Sequence, residues 1–193
     1  MQRVVSGRLG GRKLLPLPRS VTGVRPSSGR VRGAIFDRLQ HEVVGAHVLD
    51  LFAGSGALAI EALSRGASHA TLVEQQSGLA RFLDRQLEAL DLKSATRVVR
   101  DDARRFLDRQ GPSATPFDLV LVDPPYAELN LYGEVLDRLL AGAWLAPSAT
   151  VVIEYQKRRG QRPELAIPRR LVSEAVRDHG QTALEFFSLR EPS

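Results

Sequence analysis

From about residue 47 to residue 155, short runs of leucine and β-branched residues alternate with longer segments whose apolar positions recur every three or four residues. The short runs predict strands at 47–51, 69–74, 95–100, 117–123 and 150–155. The longer segments predict helices at about 56–65, 76–91, 102–110 and 131–142. In the second of these, Leu79, Phe82, Leu83, Leu87 and Leu90 form one stripe, while Arg81, Arg85 and Glu88 face elsewhere. Strictly alternating strands and helices imply right-handed crossovers and a mostly parallel sheet covered on both faces. Two further strand-like runs, about 170–177 and 183–189, are joined by Asp178-His179-Gly180-Gln181 and predict an antiparallel hairpin closing the sheet. Ahead of the alternation, Arg3-Val-Val-Ser-Gly and Arg12-Lys-Leu-Leu-Pro flank Gly10-Gly11, the pattern of a β-hairpin. Val31, Ile35, Phe36 and Leu39 then give a helix over roughly 29–41. The class is α/β, with residues 1–24 as a hairpin extension and 25–193 as the main domain.

Charge changes this picture at one end only. Residues 1–40 carry nine basic side chains and one acid, Asp37, whereas the remainder has 18 basic against 21 acidic. A basic arm on a near-neutral body is the footprint of a nucleic-acid binder, although a solvated arm would have the same composition. Arg3, Arg8, Arg12, Lys13, Arg25, Arg30 and Arg32 are the candidate RNA contacts. The 193 residues contain no cysteine, which excludes disulfides, thiolate metal sites and a cysteine nucleophile. His41, His47, His69 and His179 are scattered without ligand spacing, so no metal is expected. No apolar run is long enough to span a bilayer and the start lacks a signal-peptide core, so a cytoplasmic protein without membrane contact is expected.

The chemistry lies where strands end. His47-Val-Leu-Asp-Leu-Phe-Ala-Gly-Ser-Gly-Ala57 reads as strand, glycine loop and helix start, a nucleotide-binding turn. Its candidate contacts are Asp50, Phe52, Ala53, Gly54, Ser55 and Gly56. Ala59 stands where a dinucleotide fingerprint has its third glycine, a place where alanine is sometimes allowed, so the glycines alone leave NAD open. Asp50 favours a cationic ligand instead, because a carboxylate before the loop repels a pyrophosphate. Glu74, 18 residues after Gly56, can accept both hydroxyls of a ribose. Asp102, followed by Ala103, can meet an adenine amino group or cap the next helix, or do both.

Phe117-Asp-Leu-Val-Leu-Val-Asp-Pro-Pro-Tyr126 is a doubly buried strand stopped by two prolines. The exocyclic amine of a nucleobase is a poor nucleophile because its lone pair is delocalised into the ring. Asp123 and the carbonyl of Pro124 can accept its two N–H bonds and localise that pair; Pro125 shapes the turn and Tyr126 offers a stacking face. A base within a helix must first be extruded.

Together these residues resemble a Rossmann-like S-adenosylmethionine-dependent methyltransferase of the amino-methylating class. Arg3-Val-Val-Ser-Gly, Arg12-Lys-Leu, Arg25-Pro-Ser-Ser-Gly-Arg-Val-Arg32, Phe52-Ala-Gly-Ser-Gly-Ala-Leu58 and Glu61-Ala-Leu-Ser-Arg-Gly66 are similar to the RsmD family, over nearly the whole chain. Those enzymes methylate N2 of a guanine in 16S rRNA. The resemblance implies a seven-stranded sheet, an N-terminal hairpin that engages RNA, S-adenosyl-L-methionine as donor and S-adenosyl-L-homocysteine as product. It also implies 16S rRNA as partner, within the 30S subunit or an assembly intermediate; a monomer is expected. Gly29 and Gly33 depart from the family, which more often has an acid or another polar residue there, and each should weaken its helix by ~0.8–1 kcal/mol relative to alanine. The tetrapeptide alone does not separate guanine from adenine, so DNA adenine-N6 methylation is the alternative. An NAD-dependent oxidoreductase and a non-catalytic RNA-binding module are the readings from other classes.

Overall fold

The computed structural model describes residues 2–18, 27–109 and 115–190. Seven strands form one sheet: β1 (His47–Asp50), β2 (His69–Val73), β3 (Thr96–Val99), β4 (Phe117–Val122), β5 (Leu145–Gln156), β6 (Leu171–His179) and β7 (Thr182–Leu189). The helices are α1 (Gly29–Arg38), α2 (Ala57–Ser64), α3 (Ser77–Ala89), α4 (Ala103–Arg109) and α5 (Asn130–Ala141). The spatial order is β3-β2-β1-β4-β5-β7-β6, with β1 to β5 parallel and β7 antiparallel to both β5 and β6. From β1 the chain winds outward through β2 and β3, then returns to place β4 on the other side of β1. That reversal makes the β1–β4 boundary the switch point, outside whose carboxyl ends ligands of such sheets bind. Asp50 closes β1 and Asp123 directly follows β4, so the two acids stand on adjacent strands there.

The continuous apolar runs follow from burial on both faces. Val48 packs with α1, α2 and α3, while its neighbour Leu49 packs with α4 and α5 on the opposite face. Leu119 and Leu121 face the first group, and Val120 and Val122 the second. Trp144 and Phe106 pack with their rings tilted in the second layer, centroids 5.2 Å apart.

The extension is not a free hairpin. Its ladder is a single antiparallel bridge, Arg3 to Lys13, supported by Val4 N–H to Arg12 C=O at 3.0 Å. Other backbone donors of the extension go to the body. Val5 and Ser6 N–H donate to the Glu61 carboxylate at 2.8 and 2.9 Å, and Arg8 N–H donates to Ser64 C=O at 2.7 Å. Val4, Leu9 and Leu14 are buried in the first core layer. Gly7 is required here: its φ is +79°, and a Cβ would fall 1.9 Å from the Ser64 carbonyl oxygen. All eight residues of α2 are consequently buried, Glu61 included, as an apolar-all-round helix demands. The expected boundary between residues 24 and 25 lies outside the described residues, as does Arg25.

Element lengths differ from expectation at two places. β5 begins at Leu145 rather than near 150, because a register shift between Phe117 and Leu119 accommodates its extra residues beside β4. α1 ends at Arg38, with Leu39 closing it by donating to Ile35 C=O. Among the described residues no helix is long and apolar enough to cross a membrane.

Candidate active site

A cleft of about 380 Å³ opens at the switch point. It brings together Phe52, Ala53, Gly54, Ser55, Glu74, Asp102, Ala103 and the whole Asp123-Pro-Pro-Tyr126 turn. Gly56 forms the turn beneath it. Its φ is +74°, and a Cβ would fall 2.6 Å from Leu83 Cδ2, so only glycine lets the loop turn into α2 against α3.

Asp50 lies behind the loop at 1% exposure, and neither carboxylate oxygen has a hydrogen-bond partner among the described residues. Burial pushes its pKa up to about 7; the amides of Phe52 and Ala59, which approach without completing a hydrogen bond, draw it back in part, and the charge on Glu74 adds to the rise. A buried, unpaired carboxylate is costly unless a cation neutralises it. Glu74 serves the loop directly. Its Oε2 accepts from Gly54 N–H at 2.9 Å and its Oε1 from Gln76 N–H at 2.7 Å, while burial raises its pKa against those amides. Each oxygen keeps a lone pair for a ribose hydroxyl.

Asp102 fills the capping role while lining the cleft. Its Oδ1 accepts from Arg104 N–H at 3.0 Å and Arg105 N–H at 3.3 Å, and Arg104 grips both oxygens with its guanidinium. That grip holds the carboxyl below its usual range. Gln86, which the apolar stripe of α3 concealed, is 1% exposed and joins two regions. Its amide donates to Ser55 C=O at 2.7 Å and accepts from Leu15 N–H at 2.7 Å, linking the glycine loop to the extension.

Two partners of Asp123 were not anticipated. Ser27 Oγ lies 3.1 Å from Asp123 Oδ2 and 2.9 Å from Glu154 Oε2. Tyr126 O–H donates to Glu154 Oε1 at 2.8 Å, so the ring expected to stack is also tethered at its edge. Burial and mutual repulsion raise the pKa of Asp123 well above the usual range, partly offset by Ser27. Burial raises that of Glu154 too, against the donors Tyr126 and Ser27. The pair therefore favours a single negative charge over two near neutrality. The sequence signal for Glu154 was available: an acid inside the apolar run Val151-Val-Ile-Glu-Tyr155 of a central strand.

The basic candidates divide. Arg3, Arg8, Arg12, Lys13 and Arg30 are exposed. Arg3 and Arg12 also donate to Gly11 C=O and Ala89 C=O at 2.7 and 3.0 Å. Arg32, expected to face RNA, is instead 1% exposed. Its guanidinium donates to Ser27 C=O at 2.7 Å and Arg3 C=O at 2.6 Å, with Nε 4.0 Å from Glu61. The helical spacing that puts Val31 and Ile35 in the core carries Arg32 inward beneath the extension.

A family model described as conserved hypothetical protein 95 matches residues 2–188. The chain belongs to that family. The conserved hypothetical protein 95 match is supported by curated relatives named ribosomal RNA small subunit methyltransferase D. The Escherichia coli K12 protein is 41% identical over 158 residues, covering 82% of this chain and 76% of its own length. The Haemophilus influenzae protein is 35% identical, covering 80% and 79%. The similarity to the RsmD family thus extends over most of the chain. Among solved structures, yhhF of Escherichia coli superposes with a TM-score of 0.83 at 34% identity, covering 98% of both chains. An RNA methyltransferase of Salinibacter ruber, solved with S-adenosyl-L-homocysteine, shares the fold at a TM-score of 0.67 and 12% identity, covering 88% of this chain and 96% of its own.

Proposed function

We propose that this member of the conserved hypothetical protein 95 family transfers a methyl group from S-adenosyl-L-methionine to the N2 amine of a guanine in 16S rRNA of the small ribosomal subunit. The observation that carries the reading is the pairing of Asp50 and Asp123 at the switch point. One acid is buried without a partner behind a glycine loop; the other leads an Asp-Pro-Pro-Tyr turn on the adjacent strand. The curated relatives' names supply the RNA.

The donor set suits S-adenosyl-L-methionine. Asp50 offers its unpaired negative charge to the cationic methionine end, Glu74 offers lone pairs to the ribose, and Phe52 and Ala103 contribute apolar wall. When bound, the cofactor supplies an electrophilic methyl group. The protein's share is to prepare the amine. Asp123 and Pro124 C=O accept its N–H bonds, drawing the lone pair out of conjugation toward tetrahedral nitrogen. A carboxyl whose pKa is raised is a competent acceptor for the proton that nitrogen must shed afterwards. No covalent bond to the enzyme is required.

The exposed Arg3, Arg8, Arg12, Lys13 and Arg30 would contact phosphates. The reaction would take place in the cytoplasm, with a monomer acting on the 30S subunit or an assembly intermediate. Incubation of the protein and labelled S-adenosyl-L-methionine with small subunits from a strain lacking it should label RNA and leave duplex DNA unlabelled. Asp123→Ala should retain cofactor affinity by calorimetry while transfer falls below detection. Labelled adenine in DNA, or full turnover by Asp123→Ala, would contradict the reading.

A further inference from the structure

A second cleft, of about 590 Å³, adjoins the first at Ser27 and Tyr126. Those two residues line both clefts, so the clefts meet along a shared edge. Ser28, Arg30, Glu154, Gln156 and His179 line the second. Its volume is that of a pocket for a small organic group. Arg30 is exposed at its edge, and Nε2 of His179 is buried without a hydrogen-bond partner among the described residues.

We propose that the second cleft holds the extruded target nucleotide, and that Glu154 selects guanine by accepting its N1–H. This rests on the methyltransferase reading above. Guanine places two kinds of donor side by side, the N2 amine and the ring N1–H. Adenine places its N6 amine beside N1, which is an acceptor. A base in the second cleft whose amine reaches Asp123 across that shared edge turns its neighbouring ring nitrogen toward the next acceptor there. That acceptor is Glu154, whose carboxylate is one hydroxyl away from Asp123 through Ser27 Oγ. Glu154 is 4% exposed and fixed by Tyr126 and Ser27, so it is a built feature rather than a solvated acid. Two hydroxyl donors favour its ionised form, and a cationic methyl donor beside Asp123 would let that carboxylate ionise as well, ready for the proton of the amine. An ionised Glu154 completes a bond with guanine and meets a lone pair on adenine. Arg30, exposed and lining the second cleft, is available to the phosphate of an extruded nucleotide.

2-Aminopurine keeps the exocyclic amine of guanine, replaces N1–H with a lone pair and lacks O6; comparing wild type with Glu154→Gln separates the N1 change from the loss of O6. Reconstituted small subunits carrying guanine or 2-aminopurine at the methylated position would be assayed with wild type and Glu154→Gln. The wild type should prefer guanine by at least roughly 100-fold, the scale on which buried polar sites reject analogues lacking a hydrogen bond. Glu154→Gln should lose most of its guanine activity and narrow that preference at least roughly 10-fold, since its amide can donate to the purine lone pair. Cofactor affinity by calorimetry should not change. Equal loss on both bases in Glu154→Gln would mean a merely structural role and overturn the proposal. So would a wild type that methylates both within a few-fold, a comparison that needs no variant. A wild type that binds cofactor but transfers to neither base would overturn the methyltransferase reading itself, and the selection role with it.

Discussion

Two buried acids near opposite ends of α2 have opposite surroundings. Glu61 is fully buried and meets every demand a carboxylate makes: two amides of the extension, the Arg65 guanidinium at 2.9 Å and Arg32 nearby. Asp50 is buried almost as deeply and has no hydrogen-bond partner among the described residues. The first is an acid used for construction, because its neighbours complete it within the chain. The second is an acid left incomplete at the point where the fold binds ligands. Burial alone would not tell them apart; their partners do.

The largest effect should come from breaking the complete acid. Glu61→Ala strands two extension amides and leaves Arg32 buried beside no counter-charge. Breaking a buried ionic network in this way costs about 3–5 kcal/mol. Urea denaturation should show that loss, with the extension's amides exchanging fastest; a change below about 1 kcal/mol would mean the extension docks through its apolar side chains alone.

Breaking the incomplete acid should do the reverse. Asp50 has a folded pKa of about 7 against 3.8 when free, so the native state keeps a proton that the unfolded chain releases. Stability contributed by this site is therefore greatest below pH about 4 and is lost as pH rises toward about 7. At about 1.4 kcal/mol per pKa unit, Asp50→Asn should stabilise the unliganded protein by about 2–4 kcal/mol at pH 8 and by little at pH 4. The same variant should bind S-adenosyl-L-methionine more weakly. An Asp50→Asn protein less stable than wild type at pH 8 would show that Asp50 is structural like Glu61.

The smallest effect tests the frame around both acids. A Cβ on Gly33 would meet only Val5 at 3.8 Å and Asp37 at 4.0 Å, ordinary contact distances. Gly33→Ala should thus add ~0.8–1 kcal/mol through helix propensity and raise the melting midpoint by about 2–4 °C, with transfer unchanged. A lowered midpoint would mean that α1 and the extension are packed more tightly than these distances indicate.

The comparison also marks what the sequence could reveal. Alternating apolar runs predicted the sheet, and the acids that end them predicted the cleft, because both depend on local periodicity and on chain order. Pro124 and Pro125 announced the end of β4 for the same reason. Arg32, Gln86, Ser27 and Glu154 were hidden because their roles depend on what lies across from them. Arg32 reads as one more basic residue in a basic arm until the extension is seen lying over it. Gln86 reads as a polar gap in an apolar stripe until Leu15 and Ser55 are found on either side. The extension reads as a hairpin because a glycine turn between two short runs is a local signal, while Glu61, the acid that anchors it, is 56 residues from Val5.

The central claim, that Asp123 directs a methyl group onto guanine N2 in small-subunit RNA, is tested most directly by mass spectrometry of nucleosides from that RNA in a strain lacking the protein. The account predicts that N2-methylguanosine falls, returns when the wild-type chain is restored, and stays low when Asp123→Ala is restored at equal abundance. Unchanged N2-methylguanosine in the deletion strain, or its full return with Asp123→Ala, would contradict it.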